Sequence, residues 1–299
     1  MQKPLFREYL KPEFLSKINT LELKAKLVVE GFITGLHKSP FHGFSVEFSQ
    51  HRPYNAGDSL RFIDWKVFGR TDRYYIKQYE EETNLKSYIL LDVSNSMSYT
   101  SSEISKLLYG KYLASALAYL MLLQRDAVGL VLFDKEIRKI LPPRSVMSYL
   151  QPLLVELDVS KPGGDTDVSH MLHVMAERLK RRGLIILISD LLDDPDKIIS
   201  GLRHFRHNRH EVCVFQLLDP QELQLDYDGD VVFEDLETTE KIKTYPSFIR
   251  QEYQNEVRKY IEYFRSRCYE NRIDYQLIET RLSLDVALMD YLIKRNRLK

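Results

Sequence analysis

The chain has 299 residues, 44% of them hydrophobic and 29% charged, enough to bury one large core or two modest ones. Lys plus Arg and Asp plus Glu both number 43, so no overall field draws the molecule to nucleic acid or anionic lipid, and a charged partner must be met by a local patch. No segment approaches the ~20 consecutive apolar residues of a membrane span, and the longest apolar run, Tyr112 to Leu123, is closed by Lys111 and Gln124-Arg125.

The N-terminus carries acids and prolines where a signal peptide needs an apolar block, so a cytoplasmic protein is expected. Cys213 and Cys268 stand far apart, one in an apolar run and one in a charged one, with neither zinc-knuckle nor disulfide-framework spacing. A reducing compartment fits them.

Taken in order, Leu15–Leu36 has the pattern of one amphipathic helix. Up to residue 84 the chain is then rich in aromatics, His, Gly and single charges, with strand-like pieces at Ser45–Phe48 and Tyr74–Tyr79. Residues 1–84 are therefore expected to form a helix plus a β-rich appendage of functional purpose. From residue 85 onward strand and helix alternate. Lys86–Leu91 predicts a buried strand, Ile104–Leu123 a helix, Ala127–Phe133 a strand, and Ile137–Leu141 a strand that pairs with it antiparallel. Ser145–Glu156 and Val168–Lys180 predict helices, and Leu184–Ser189 a second buried strand. Helix Asp194–Phe205, strand Val212–Leu218, helix Phe248–Cys268, strand Ile273–Ile278 and helix Leu284–Leu292 complete the series. An insertion spans about 219–245 and contains the short run Val231–Phe233. This alternation implies an α/β fold, a doubly wound and mostly parallel sheet covered on both faces, over residues 85–299.

In such a sheet, ligands collect beyond the carboxyl ends of the strands, where the strand order reverses. Asp92-Val93-Ser94-Asn95-Ser96 follows the first strand of the series, placing a carboxylate and two hydroxyls at i, i+2 and i+4. Asp190 ends the fourth strand. With the strand order 3-2-1-4-5-6 these two strands are neighbours, and both acids face one crevice. Gly163-Gly164-Asp165-Thr166-Asp167 opens a helix between them and brings the Thr166 hydroxyl within reach. Two carboxylates and three neutral oxygens suit Mg²⁺, with Mn²⁺ or Ca²⁺ as alternatives, and leave positions open for water or an outside carboxylate.

Asp92-x-Ser94-x-Ser96, Thr166 and Asp190 together resemble the metal-ion-dependent adhesion site of von Willebrand factor A domains. A second resemblance covers the appendage: the stretch from His51 to Trp65, containing Tyr54, Gly57-Asp58, Arg61 and Ile63-Asp64-Trp65, is similar to the signature of the DUF58 family. Arg70, the Tyr79-Glu80-Glu81-Glu82 run, and Leu218-Asp219-Pro220 with Glu222 fit the same layout. The resemblance implies a von Willebrand A-like fold and a non-catalytic adaptor or chaperone role beside a MoxR-type AAA+ ATPase. An acidic residue of the partner would complete the metal shell. Asp165 and Asp167 depart from the pattern by crowding Thr166 with acid, although acids also suit a helix N-terminus.

Plainer readings stand beside these. Asp92 or Ser94 on a strand-to-helix loop can act as a helix cap. Arg61, Asp64 and Trp65 are the candidate partner contacts of the appendage; alternatively, Asp58, Arg61 and Asp64 form an ion-pair network while Tyr54, Phe62 and Trp65 pack. The enzymatic alternative is a metal-dependent phosphatase-like hydrolase with Asp92 as nucleophile. That chemistry needs a general acid two residues on, where this chain has Ser94, whose hydroxyl delivers no proton at neutral pH.

Overall fold

The computed structural model describes residues 11–37, 51–53, 68–69, 74–77, 86–164, 167–234, 241–285 and 288–289. The chain forms two compact units, residues 1–34 with 85–299, and residues 35–84. In the smaller unit, β1 (His51–Pro53) and β2 (Tyr75–Lys77) pair antiparallel, with Arg52 opposite Ile76. The strand-like piece at 45–48 and the candidate contacts Arg61, Asp64 and Trp65 lie outside the described residues.

The larger unit opens with two helices where the pattern suggests one. α1 (Pro12–Ser16) stops, and α2 (Leu21–His37) begins after Thr20, whose hydroxyl accepts the Leu23 amide at 3.3 Å. A capping hydroxyl satisfies a backbone amide at the start of a new helix and so marks where the helix begins. α2 packs with the sheet domain: Lys24 Nζ donates to the Tyr112 hydroxyl at 3.0 Å.

The sheet has six strands: β3 (Lys86–Asp92), β4 (Ala127–Phe133), β5 (Ile137–Arg144), β6 (Gly183–Ser189), β7 (Glu211–Leu218) and β10 (Asp274–Glu279). Their spatial order is β10-β7-β6-β3-β4-β5, all parallel except the β4–β5 pair. Counted along the domain this is 3-2-1-4-5-6, the order expected from the sequence, and its reversal lies at β3. Strand β5 runs further than expected, through Pro142 and Pro143, because an edge strand does not need the amides that proline lacks.

Helices cover both faces. α3 (Lys106–Leu123) lies on one; a Cβ on its Gly110 would stand 2.9 Å from Leu91 Cδ1 and 3.4 Å from Leu217 Cδ1, so glycine lets the helix approach the strands closely. α4 (Leu150–Val159) packs beside it, tied by Lys111 Nζ donating to the Ser160 carbonyl at 2.6 Å. The other face carries α5 (Val168–Arg178), α6 (Pro195–His207) and α8 (Pro246–Glu270), whose Met171, Leu202 and Phe264 meet Leu90, Ile185, Leu187 and Val214. Alternation along each strand sends Leu90 one way and Leu91 the other. Each fully buried Leu or Ile in these layers contributes ~1.5–3 kcal/mol. Within the insertion, the short helix α7 (Pro220–Gln224) precedes an antiparallel pair, β8 (Val231–Glu234) and β9 (Lys241–Thr244). Leu284, Asp285, Leu288 and Met289 are helical where a last helix is expected. Among the described residues no helix is long and apolar enough to cross a membrane.

Candidate metal centre at the sheet switch point

β3 and β6 are adjacent and parallel, with Leu91 paired to Ile188, so Asp92 and Ser189-Asp190 emerge side by side at the carboxyl edge. Asp92, Ser94 and Asp190 are fully buried and Ser96 nearly so. The Asp92 carboxylate is held at both oxygens. Oδ1 accepts the Ser94 amide at 2.9 Å, and Oδ2 accepts the Ser189 hydroxyl at 2.6 Å.

After Ser94 the chain enters a short 3₁₀ turn, Asn95–Ser98. Ser94 occupies its N-cap position, yet its hydroxyl caps nothing there. Instead Ser94 Oγ lies 3.1 Å from Ser96 Oγ. Adjacent ligands of an octahedral Mg²⁺ with bonds of ~2.1 Å stand about 3.0 Å apart, so this pair suits one edge of such a shell. The Asp92 carboxylate accepts the amide of Ser94, the N-cap residue, rather than an amide inside the turn, so neither side chain serves as a plain cap of it.

Thr166 and Asp165 lie outside the described residues, but the loop that leads to them is tied to the first motif. The Gly163 amide donates to the Val93 carbonyl at 3.0 Å, and the Asn95 amide donates to the Gly164 carbonyl at 3.2 Å. Gly164 has φ +75°, and a Cβ there would stand 2.6 Å from Asp134 Oδ2, so the loop needs glycine to lie this close. Asp167 caps α5, its carboxylate accepting the His170 amide at 2.9 Å.

The electrostatics are those of crowded, dehydrated acid. Burial, followed by the charge of Asp190, pushes the Asp92 carboxyl up to about 7, against the opposing hydrogen bonds from Ser189 and Ser94. A cation held here would offset both causes by supplying the opposite charge. Among the described residues no three His, Cys, Asp or Glu side chains converge as metal ligands. The set found here is of another kind, two carboxylates with hydroxyls, as a hard cation prefers. These residues fit a divalent ion.

Two participants were not evident from the sequence. Ser189 donates to Asp92 and also accepts the Leu191 amide at 3.0 Å, bracing a turn in which Leu191 sits at φ +60°. A leucine in the left-handed region costs of the order of 1 kcal/mol and persists only where its surroundings fix it. Here the Tyr260 hydroxyl donates to the Leu191 carbonyl, and Gln216 Nε2 donates to the Asp190 carbonyl at 3.0 Å. The second participant is Lys106, whose fully buried ammonium donates to Asp190 Oδ2 at 2.8 Å and to Glu222 Oε1 at 2.5 Å. One signal did exist for it: a lysine at the first position of a helix opposes the macrodipole.

Residues 50–262, more than two thirds of the chain, match the family described as "Protein of unknown function DUF58". The chain belongs to the DUF58 family. Among curated relatives, this DUF58 protein is 26% identical over 230 residues to the uncharacterized protein Rv1480 of Mycobacterium tuberculosis, covering 76% of this chain and 72% of the relative. Among solved structures it is similar to the conserved hypothetical protein BatB from Bacteroides thetaiotaomicron, at TM-score 0.46 and 17% identity, over 71% of this chain and 99% of that one. The SpRpn10 VWA domain aligns at TM-score 0.40 and 10% identity, over 69% of this chain and 94% of its own. The doubly wound architecture of this DUF58 protein stands on its own sheet, mostly parallel with an antiparallel edge pair and its reversal at β3.

Proposed function

We propose that this DUF58 protein is a non-catalytic, cytoplasmic adaptor that binds a partner through a divalent cation held at the carboxyl edge of β3 and β6. Ser94, Ser96 and Thr166 supply neutral oxygens, and Asp92 and Asp190 supply charge in or just behind the shell. The ion, Mg²⁺ or alternatively Mn²⁺ or Ca²⁺, leaves a coordination position for an acidic side chain of the partner. The observation that carries this reading is the Ser94–Ser96 hydroxyl pair, 3.1 Å apart beside a buried acid whose ionisation is disfavoured in the absence of a cation. The family resemblance names the partner class, a MoxR-type AAA+ ATPase. Arg61, Asp64 and Trp65 of the DUF58 signature are proposed as a second contact surface.

The alternative, phosphatase-like hydrolysis through Asp92, gains one feature from Lys106, a buried cation of the sort that holds a transferring phosphoryl group. Against it, Lys106 is held by two carboxylates, both Asp92 oxygens accept hydrogen bonds, and the residue two positions on is Ser94. Affinity capture from a native lysate separates the two readings. An AAA+ ATPase retained by the wild type, and lost both in EDTA and with Asp92→Ala, supports the adaptor. Phosphate release from a generic ester, abolished by the same substitution, supports the hydrolase.

A further inference from the structure

The adaptor reading leaves unused a buried charge network beside the metal centre. α3 has no acid in its first turn and places the Lys106 ammonium there, wholly buried. A buried ammonium persists only where opposite charge and good hydrogen bonds surround it. Burial alone pulls the Lys106 pKa down, but the charges and hydrogen bonds of Asp190 and Glu222 together hold it above the usual lysine value.

The two partners belong to different parts of the molecule. Asp190 closes β6 at the metal centre, and its remaining Oδ1 accepts the Leu192 amide at 3.3 Å. Glu222 belongs to α7, where it completes a reciprocal cap: its Oε2 accepts the Asp219 amide at 2.8 Å, while Asp219 Oδ1 accepts the Gln221 amide at 2.8 Å. Asp219 in turn receives the Ser101 amide at 2.9 Å and the Ser101 hydroxyl at 2.5 Å. The Asp219-Pro220-x-Glu222 motif therefore does more than start a helix. It joins the segment after β7 to the acid at the end of β6, with one ammonium as the link.

An ammonium and a divalent ion drawing on the same carboxylate repel each other and compete for it. We propose that Lys106 is a positioning residue that acts as an internal cation: it keeps Asp190 behind the metal shell, restrains the affinity of the centre for a divalent ion, and couples metal uptake to α7 through Glu222. This rests on the metal-centre reading above. Metal binding shifts the ammonium from Asp190 towards Glu222, so the cap of α7 responds to the occupancy of a site on another strand.

The test is calorimetric titration of Mn²⁺ into EDTA-stripped, full-length protein, with hydrogen exchange of residues 219–225 followed with and without Mn²⁺. Lys106→Met removes the competing charge at similar length, and at interior dielectric a charge this close is strong enough that Mn²⁺ is expected to bind about tenfold more tightly. Glu222→Gln leaves the ammonium to Asp190 alone, and Mn²⁺ is expected to bind about threefold more weakly, a smaller change because the altered group is one step removed from the metal. In wild type, Mn²⁺ changes exchange in 219–225; in Lys106→Met it does not. A purely structural salt bridge predicts unchanged Mn²⁺ affinity in both variants, and that result, with the wild type still binding, overturns the coupling while sparing the metal centre. A wild type that takes up no Mn²⁺ removes the metal centre and the coupling with it. Should Lys106→Met fail to fold, Glu222→Gln decides alone, since the buried Lys106–Asp190 pair remains intact in that variant.

Discussion

Replacing Asp92 by Asn should make the metal-free protein more stable at pH 8 while removing a ligand of the proposed metal centre. The amide is nearly isosteric: its oxygen can still accept the Ser94 amide, and its NH₂ can face the Ser189 hydroxyl. What disappears is a dehydrated negative charge beside Asp190. The folded-state value of about 7 lies roughly 3 units above the ordinary 3.8, and each unit is worth ~1.4 kcal/mol. The folded protein therefore holds the Asp92 proton more tightly than the unfolded chain, so this group's contribution to stability falls as pH rises from about 4 to about 7. Above that window the charge costs at most about 4 kcal/mol, and a gain of about 2 kcal/mol in the variant at pH 8 agrees with the reasoning. Urea unfolding in EDTA at pH 8 and pH 4.5 measures it; the gain should shrink at the lower pH. A variant that loses about 1 kcal/mol equally at both pH values would show Asp92 to be an ordinary cap and would refute the argument.

The remaining predictions address the surroundings of the centre. Lys106→Met leaves buried Asp190 uncompensated and should cost about 3–5 kcal/mol in metal-free urea unfolding. Gly164→Ala forces a side chain onto φ +75° and against Asp134 Oδ2, so a loss of about 1–3 kcal/mol is expected; weaker Mn²⁺ binding should accompany it, because this loop hydrogen-bonds to Asn95. Cys213 and Cys268 are both buried thiols, so a thiol reagent should titrate them only after denaturation, and fast reaction of the native protein would contradict the packing of β7 and α8.

The sheet was legible because its signals are local. Runs such as Leu184–Ser189 are apolar throughout, as strands covered on both faces must be, and an Asp at the end of two neighbouring runs marks the crevice. Boundaries shifted where capping decided them: Thr20 split the expected first helix, and the two prolines extended β5 because it lies at an edge. The insertion yielded a strand-like run at Val231–Phe233 but not its pairing with Lys241–Thr244, a Lys-Ile-Lys-Thr stretch with only one apolar residue to mark it. Lys106 was hidden for a different reason. A lysine beside Ser105 looks like a solvated charge at a helix start, and only its two distant partners, Asp190 and Glu222, make it buried. Ser189 was likewise masked as the last residue of a strand. Interactions that link residues far apart in sequence, such as Ser189 with Asp92 and Lys106 with Asp190 and Glu222, leave no spacing to read.

The most direct measurement is Mn²⁺ titration of the EDTA-stripped wild type beside Asp92→Asn, each first shown to be folded by circular dichroism. Uptake of one ion per chain by the wild type and none by the variant is the predicted outcome. Equal uptake by both proteins, or no heat of binding from a well-folded wild type, would contradict a cation held between the ends of β3 and β6.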